Sequence, residues 1–206
     1  METVGAVLVA AGMSSRSEEF LPLLPVGGIT IAQRIIATLR QAGATRIAVV
    51  TGFHADELEH HLAKTGAVFL RNENYQNTDM FASACIGLSY LRHKCARVFF
   101  APTAVPLFTA ATAKALLDSG APLAVPVCGG VRGHPILLSA GVIDRLLNDS
   151  GEGGLQGALS RCGVEETLVP VRDSGTVYHG SADSRESARL LAVHNSQLAR
   201  AEVRVA

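Results

Sequence analysis

The stretch VLVAAGMSSRSEEFLPLLPVGG, residues 7–28, begins as an apolar strand and continues into a loop of small and polar residues. The loop contains three small residues and then three side chains able to donate to a phosphate: Ala10, Ala11 and Gly12, followed by Ser14, Ser15 and Arg16. Small residues let a phosphate approach backbone N–H groups, and a guanidinium donates two parallel hydrogen bonds to it. The pattern predicts a phosphate-binding loop. The alternative is a tight strand-to-helix turn with an incidental arginine.

Outward from this strand, apolar runs alternate with amphipathic segments. The pattern predicts strands at residues 4–10, 46–52, 67–72, 96–102 and 121–130, and helices at 31–43, 54–66, 79–93 and 110–120, with Asp79 as an N-cap. Nearly continuous apolar strands between helices indicate an α/β fold: a doubly wound, mostly parallel sheet with helices on both faces. Ligands bind beyond the carboxyl ends of such strands, so we expect Ala10 to Arg16 to leave a central strand and face the main cleft.

The regular alternation of predicted strands and helices changes after Gly130. A glycine-rich stretch is followed by shorter predicted strands at residues 165–171 and 175–180 and by a closing helix at 183–194. This indicates a small C-terminal lobe or a reversed edge of the same sheet. No linker or repeat interrupts the chain, so residues 1–206 are predicted to form one domain, in which the pattern changes between residues 1–128 and 129–206.

The composition excludes several classes of function. Eighteen basic residues balance eighteen acidic ones, no basic cluster occurs, and aromatic residues make up only 5%, so nucleic acid is not an expected partner. The four cysteines have no CxxC spacing and are predicted to be free thiols in a reducing compartment. The N-terminal apolar run is too short to span a bilayer and has no basic leader, so we expect a cytoplasmic protein without a membrane segment.

Common catalytic motifs are absent from the sequence. The first strand is not followed by GxGxxG, and neither a Walker A loop nor a GxSxG elbow is present. The stretch HADELEHH places His54, His60 and His61 on one predicted helix, which makes a metal site conceivable. Its spacing is not HExxH, however, and a solvated helix face is the favoured interpretation.

The segment LVAAGMSSR resembles the L-A-A-G-x-S-x-R signature of the MobA-like nucleotidyltransferases, the family that includes molybdenum cofactor cytidylyltransferases. Further matching stretches follow in family order: LLPVGG, VVTGF, RNENYQNTDMFASACIGL, RGHPILL, GEGGLQGAL and ADSRESARLL. The resemblance covers nearly the whole chain and implies a nucleotide-binding half at 1–128 and an acceptor-side half at 129–206. It implies a Rossmann-like domain of the GT-A type that transfers a nucleoside monophosphate from CTP or GTP to a phosphorylated acceptor such as molybdopterin, releasing pyrophosphate with the help of Mg²⁺.

The same resemblance implies roles for individual residues. Those expected to bind the nucleotide are Ala10, Ala11, Gly12, Ser14, Ser15, Arg16, Asn72 and Ser83, and Arg16 is also the expected catalytic residue. Arg132, Gly133 and His134 are expected to border the same cleft on the acceptor side. In that role Gly133 allows close approach, Arg132 meets an acceptor phosphate and His134 hydrogen-bonds the ligand. The alternative for His134 is a structural histidine that fixes the turn before Pro135.

Several positions depart from the family pattern. Leu21 stands where the family has a phosphate-binding lysine, and Ala104 stands where it has the aspartate that binds Mg²⁺. The closing pair of acids is reduced to Asp183, while Glu18 and Glu19 add negative charge to the first loop. Nucleotidyl transfer depends on electrostatic stabilisation by metal and cations. These departures predict at most weak Mg²⁺ binding through Asp183. The negative charges of Glu18 and Glu19 are tolerable if the first loop no longer holds a triphosphate.

Two functions therefore remain open. One is an active nucleotidyltransferase in which Thr103, Glu18 or Asp183 supports the metal in a rearranged site. The other is a nucleotide-binding or regulatory protein that has kept the fold and lost the chemistry. A small oxidoreductase lacks its glycine fingerprint. The expected partners are a nucleoside triphosphate and a small phosphorylated acceptor, and the expected oligomeric state is a monomer or homodimer.

Overall fold

The structure, a computed structural model, describes residues 2–12 and 20–179 and four further positions, 189, 192, 193 and 196. Its strands are β1 (Val4–Ala10), β2 (Pro25–Val26), β3 (Ile29–Thr30), β4 (Arg46–Thr51), β5 (Val68–Arg71), β6 (Arg97–Pro102), β7 (Leu123–Cys128), β8 (Val131–Arg132), β9 (Ile136–Ser139) and β10 (Thr167–Pro170). Its helices are α1 (Ile31–Gln41), α2 (Ala55–Leu62), α3 (Met80–Leu91), α4 (Ala110–Asp118), α5 (Ala140–Leu147) and α6 (Gly154–Arg161).

One sheet dominates the fold. Its strand order is β10-β7-β9-β6-β1-β4-β5, with β8 also paired to β7, and β2 and β3 form a separate hairpin. The pairs β1–β4, β1–β6, β4–β5 and β7–β10 are parallel, whereas β9 is antiparallel to both of its neighbours. The predicted mostly parallel, doubly wound sheet is confirmed.

Helices cover both faces of this sheet, as the apolar strands require. Alternate residues of β1 enter two different cores: Ala6 and Leu8 pack with α1, α2 and α4, whereas Val7 and Val9 pack with α3, α5 and α6. Helix α3 lies so close to β1 that a Cβ on Gly87 would come within 2.5 Å of the Val7 side chain. Strand β1 is therefore a rigid, fully enclosed support for whatever its carboxyl end presents.

Side-chain caps begin most of the helices. Thr30 and Gln33 form a reciprocal capping box at α1, Asp79 accepts from the Ala82 N–H at α3 as predicted, and Thr109 caps α4. These caps fix the residues at which α1, α3 and α4 begin. The loops that lead from the carboxyl edge of the sheet into these three helices therefore end at defined positions.

The second half of the chain corrects two expectations. The reversed strand does not lie at an edge, because β9 is inserted between β6 and β7 within the main sheet. The strand predicted over residues 175–180 is instead a 3-10 turn at Ser174–Thr176, because the Asp173 carboxylate accepts from the Gly175 N–H and bends the backbone. The closing helix predicted at 183–194 lies largely outside the described residues.

Among the described residues, no helix is both long enough and apolar enough to cross a membrane. All four cysteines are free thiols, as predicted. Burial raises the pKa of Cys85 to about 11, so this thiol carries little thiolate at neutral pH.

Candidate functional site

The strand order switches direction at β1. The chain passes from β1 through α1 to β4 and through α2 to β5 on one side, then returns through α3 to β6 on the other side of β1. The loops after β1 and β6 therefore leave the sheet side by side and in diverging directions, which is where open α/β sheets bind ligands. The segment that begins at Ala10 leaves the carboxyl end of an interior strand, as the sequence predicts.

The start of the first loop is held by the end of β4. Ala11 is fully buried, and its carbonyl accepts a hydrogen bond of 3.0 Å from the Phe53 N–H. A Cβ on Gly52 would lie 2.6 Å from the Ala11 oxygen and 2.8 Å from the Tyr75 Cβ, so Gly52 is required for this close approach. The remaining predicted phosphate donors, Ser14, Ser15 and Arg16, fall within residues 13–19, outside the described part of the chain.

Gly12 differs from Gly52. No described atom lies within 4 Å of the position that its Cβ would occupy, and its backbone is not in the left-handed region. Within the described residues, neither packing nor backbone strain therefore demands a glycine at this position. The space that they leave beside Gly12 is consistent with the predicted close approach of a ligand, which stays a prediction.

The loop after β6 presents little charge. Thr103 donates both its N–H and its hydroxyl to the Val9 carbonyl, each over 3.2 Å, and so ties β6 to β1. Ala104 is half-buried and packs against the core that includes α1 and α4, and Leu21 belongs to that core with 8% of its surface exposed. The positions that the resemblance assigns to a metal-binding aspartate and a phosphate-binding lysine are therefore occupied by packed apolar side chains.

The described residues do not fit a divalent cation bound in the family manner. Mg²⁺ requires carboxylate and other oxygen ligands in near-octahedral geometry, but Ala104 offers no ligand and the Thr103 hydroxyl is a neutral group engaged with Val9. Within residues 2–12 and 20–179, no group of three His, Cys, Asp or Glu side chains is placed to hold a metal. Asp183, the predicted weak ligand, lies outside the described residues.

The histidines of α2 are engaged separately. His54 Nδ1 lies 3.0 Å from a Glu57 carboxylate oxygen, whereas His61 Nε2 lies 3.2 Å from the Thr30 hydroxyl of the α1 cap. His54, His60 and His61 are all exposed, in agreement with the solvated-face interpretation of this helix.

Asn72 and Ser83, both predicted to bind the nucleotide, are buried and bonded to each other. Asn72 Nδ2 donates to the hydroxyls of Ser83 and Thr78, both over 2.9 Å, and Asn72 Oδ1 accepts from the Asn74 N–H. The Asn72 N–H also donates to the Thr51 carbonyl at the end of β4. Both amide hydrogens of Asn72 are thus used within the protein. In this arrangement the pair shapes the loop between β5 and α3.

Four aromatic rings cluster beside the first loop, a feature that the sequence analysis missed. They belong to Phe20, Phe53, His54 and Tyr75, with ring centroids 4.1–6.3 Å apart in consecutive contacts. His54, at φ 52°, is the one described non-glycine residue with a left-handed backbone. The rings of Phe20, Phe53 and Tyr75 are half-buried and that of His54 is exposed, so their concentration at one cleft edge creates a stacking surface. The low overall aromatic content concealed it, because only folding brings Phe20 and Tyr75 to the Phe53 ring.

The acceptor-side segment, Arg132 to Pro135, lies where β8 pairs with the carboxyl end of β7. The Arg132 guanidinium forms an ion pair with Glu166, with an N–O distance of 2.5 Å, so this cation is already engaged within the protein. The Arg132 side chain is more than half exposed, whereas the Glu166 oxygen that it contacts is buried.

Gly133 and His134 are seated on the turn at Ser174–Thr176. A Cβ on Gly133 would lie 2.4 Å from the Thr176 carbonyl oxygen, and the His134 N–H donates to the same oxygen over 2.9 Å. The His134 ring packs 5.8 Å from that of Phe100, and its burial, assisted by nearby His179, lowers its pKa to about 4. Gly133 is therefore required by the protein itself. His134 is a neutral imidazole at pH 7, in agreement with its structural interpretation.

A sequence profile of the MobA-like NTP transferase domain matches residues 6–168. The chain belongs to this family. Its nucleotidyltransferase relatives include the bifunctional protein GlmU of Geobacillus, which is 29% identical over 115 residues. That match covers 55% of this chain and about a quarter of GlmU, 24% of its length.

Solved structures share the fold of the MobA-like chain. A nucleotidyl transferase from Methanothermobacter superposes with a TM-score of 0.77 at 21% identity, covering 96% of this chain and 99% of that one. The Rv0371c protein of Mycobacterium tuberculosis, in a complex with manganese, superposes with a TM-score of 0.73 at 21% identity, covering 93% and 98% of the two chains. The Rossmann-like nucleotidyltransferase fold is thus common to all three proteins.

Proposed function

We propose that this MobA-like chain binds a nucleotide at the carboxyl ends of β1 and β6 and does not carry out the metal-assisted transfer of its family. The observation that carries the proposal is the packing of Leu21 and Ala104, which puts apolar side chains where the chemistry needs a cation and a metal ligand.

The physical argument concerns charge. Phosphoryl and nucleotidyl transfers place developing negative charge on phosphate oxygens, and the protein accelerates them mainly by stabilising that charge with metals and cations. A packed alanine and a packed leucine do not stabilise charge. Glu18 and Glu19 add further negative charge to the first loop in sequence. The combination supports binding without efficient transfer.

Other features support retention of the nucleotide itself. The space that the described residues leave beside Gly12 supports the proposal that a phosphate lies there, bound by hydrogen bonds from Ser14, Ser15 and Arg16. The rings of Phe53 and Tyr75, next to the Ala11 carbonyl, are proposed to form the surface against which the base stacks. Asn72 and Ser83 then act by holding the loop that carries Tyr75.

The second candidate is the active enzyme: transfer of a nucleoside monophosphate from CTP or GTP to a phosphorylated acceptor such as molybdopterin. Family membership and the ordered acceptor-side segment at Arg132, Gly133 and His134 favour it. It would take Asp183 or another residue outside the described part as the metal ligand.

Isothermal calorimetry with CTP, GTP and ATP, each with and without Mg²⁺ or Mn²⁺, separates the two candidates when combined with a pyrophosphate-release assay. We expect nucleotide binding whose affinity changes less than about threefold with metal, and no pyrophosphate release above background. Replacing Phe53 by alanine should weaken binding by about tenfold, because one stacked base contributes about 1–3 kcal/mol. Turnover that is abolished by chelation would establish the second candidate instead, and no binding to any nucleotide would refute both.

A gain-of-charge variant tests the same argument from the other side. Leu21→Lys combined with Ala104→Asp restores a cation and a carboxylate and should strengthen Mg²⁺-dependent triphosphate binding by about tenfold. The matched control, Ile29→Lys with Ala111→Asp, makes the same charge changes at exposed positions and should have no effect. An equal gain in the control would attribute the effect to overall charge. A folded double variant with no gain would contradict the assignment of these two positions.

A further inference from the structure

We propose that Asp173 is a positioning residue, whose carboxylate holds the turn that seats Gly133 and His134 and thereby fixes the acceptor-side segment relative to α4. The acceptor role of that segment rests on the proposed function, but the positioning itself does not. The sequence analysis gave Asp173 no role.

One carboxylate oxygen of Asp173 binds the start of α4. Asp173 Oδ2 accepts from the Thr109 N–H over 2.7 Å, from the Thr109 hydroxyl over 2.9 Å and from the Thr112 hydroxyl over 2.7 Å. Thr109 is the N-cap of α4, where the helix dipole favours a negative charge. Helix α4 directly follows the loop that carries Ala104. The Asp173 carboxylate is therefore anchored to one wall of the proposed cleft.

The other side of Asp173 shapes the turn. Asp173 Oδ1 accepts from the Gly175 N–H over 3.0 Å, and the Asp173 carbonyl accepts from the Thr176 hydroxyl over 2.7 Å. Gly175 and Thr176 are both buried, with Thr176 fully enclosed. The Thr176 carbonyl is the oxygen that receives the His134 N–H and lies over Gly133. A short chain of contacts thus runs from α4 through Asp173 and Thr176 to the acceptor-side segment.

A carboxylate at position 173 fits the surrounding hydrogen-bond donors better than a neutral amide would. Three N–H or O–H donors converge on Asp173 Oδ2, and a carboxylate oxygen accepts them all, with the stronger hydrogen bonds that charge provides. An asparagine would have to turn its NH₂ group towards one of the two sets of donors. Replacing Asp173 by asparagine therefore breaks the link while preserving the size of the side chain.

The test measures the environment of His134 in the folded protein. In Asp173→Asn, ring NMR titration should show the His134 pKa rising from about 4 towards its ordinary value of about 6.5, because a loosened segment exposes the imidazole. Neutralising Asp118, an exposed residue at the other end of α4, by Asp118→Asn should leave the titration of His134 unchanged. A residue that only stabilises the fold would lower the melting temperature without moving this titration.

A milder variant covers the case in which Asp173→Asn does not fold. Thr112→Val removes one of the three donors and should move the His134 titration in the same direction by a smaller amount. CTP affinity should change less than about twofold in either variant, because the start of the first loop is held separately, by the hydrogen bond from the Phe53 N–H to the Ala11 carbonyl. Unchanged His134 titration in a folded Asp173 or Thr112 variant would overturn the proposal. Absence of CTP, GTP and ATP binding in the unsubstituted protein and in both variants would refute the proposed function alone.

Discussion

Gly12 and Gly133 are both predicted ligand-site glycines, but packing against the described residues requires a glycine only at Gly133. Gly133 lies under the Thr176 carbonyl with no room for a Cβ, whereas no described atom approaches the Cβ position of Gly12. The acceptor side is a packed, hydrogen-bonded assembly, whereas the described residues leave the space beside Gly12 open. The comparison teaches that a glycine in a site motif does not by itself indicate contact with a ligand.

We expect the largest effect from Gly133→Ala, which tests whether packing requires a glycine at this position. The new methyl group would meet a backbone oxygen at 2.4 Å, and the displacement should lower the free energy of unfolding by roughly 3 kcal/mol. Gly12→Ala is the matched change and should alter stability by less than about 0.5 kcal/mol while weakening nucleotide binding. Urea denaturation and calorimetry measure the two quantities. Equal destabilisation by both variants would remove the distinction.

The buried His134 gives the acceptor side a pH dependence. Because the folded-state pKa of about 4 is below the ordinary value of about 6.5, the unfolded chain binds a proton that the folded chain does not between these pH values. This contribution to stability is complete above about pH 6.5 and is lost as the pH falls to about 4, by at most about 3 kcal/mol. In His134→Gln, the denaturation midpoint should depend less on pH across that range. If the pH dependence of the midpoint is unchanged, the His134 pKa is not lowered by burial and this prediction is wrong.

The smallest of these effects concerns the loop that carries Tyr75. Asn72→Ala removes two donated hydrogen bonds and one accepted bond in a buried position and should lower stability by about 2 kcal/mol. The exposed Asn77 makes a side-chain bond to Asn74, and Asn77→Ala should cost less than about 0.5 kcal/mol. Thermal melts compare the two. A small effect at Asn72 accompanied by lost nucleotide binding would instead favour direct contact with the ligand.

The local pattern of the sequence determined a large part of the fold. The alternation of apolar strands and amphipathic helices depends on short-range periodicity, so β1, β4, β6 and the helices between them were predictable, as was the Asp79 cap. The order of the motifs determined the family, and the small residues after β1 located the carboxyl edge at which the first loop begins.

Only the tertiary structure decided the rest. The position of β9 inside the sheet, the seating of Gly133 and His134 on the Ser174–Thr176 turn and the aromatic cluster all depend on contacts between residues far apart in the chain. Asp173 lies more than 60 residues from Thr109 and Thr112, so no local pattern indicates that its carboxylate joins α4 to the acceptor-side segment. Such contacts form because buried donors and acceptors must find partners wherever the packed sheet brings them together.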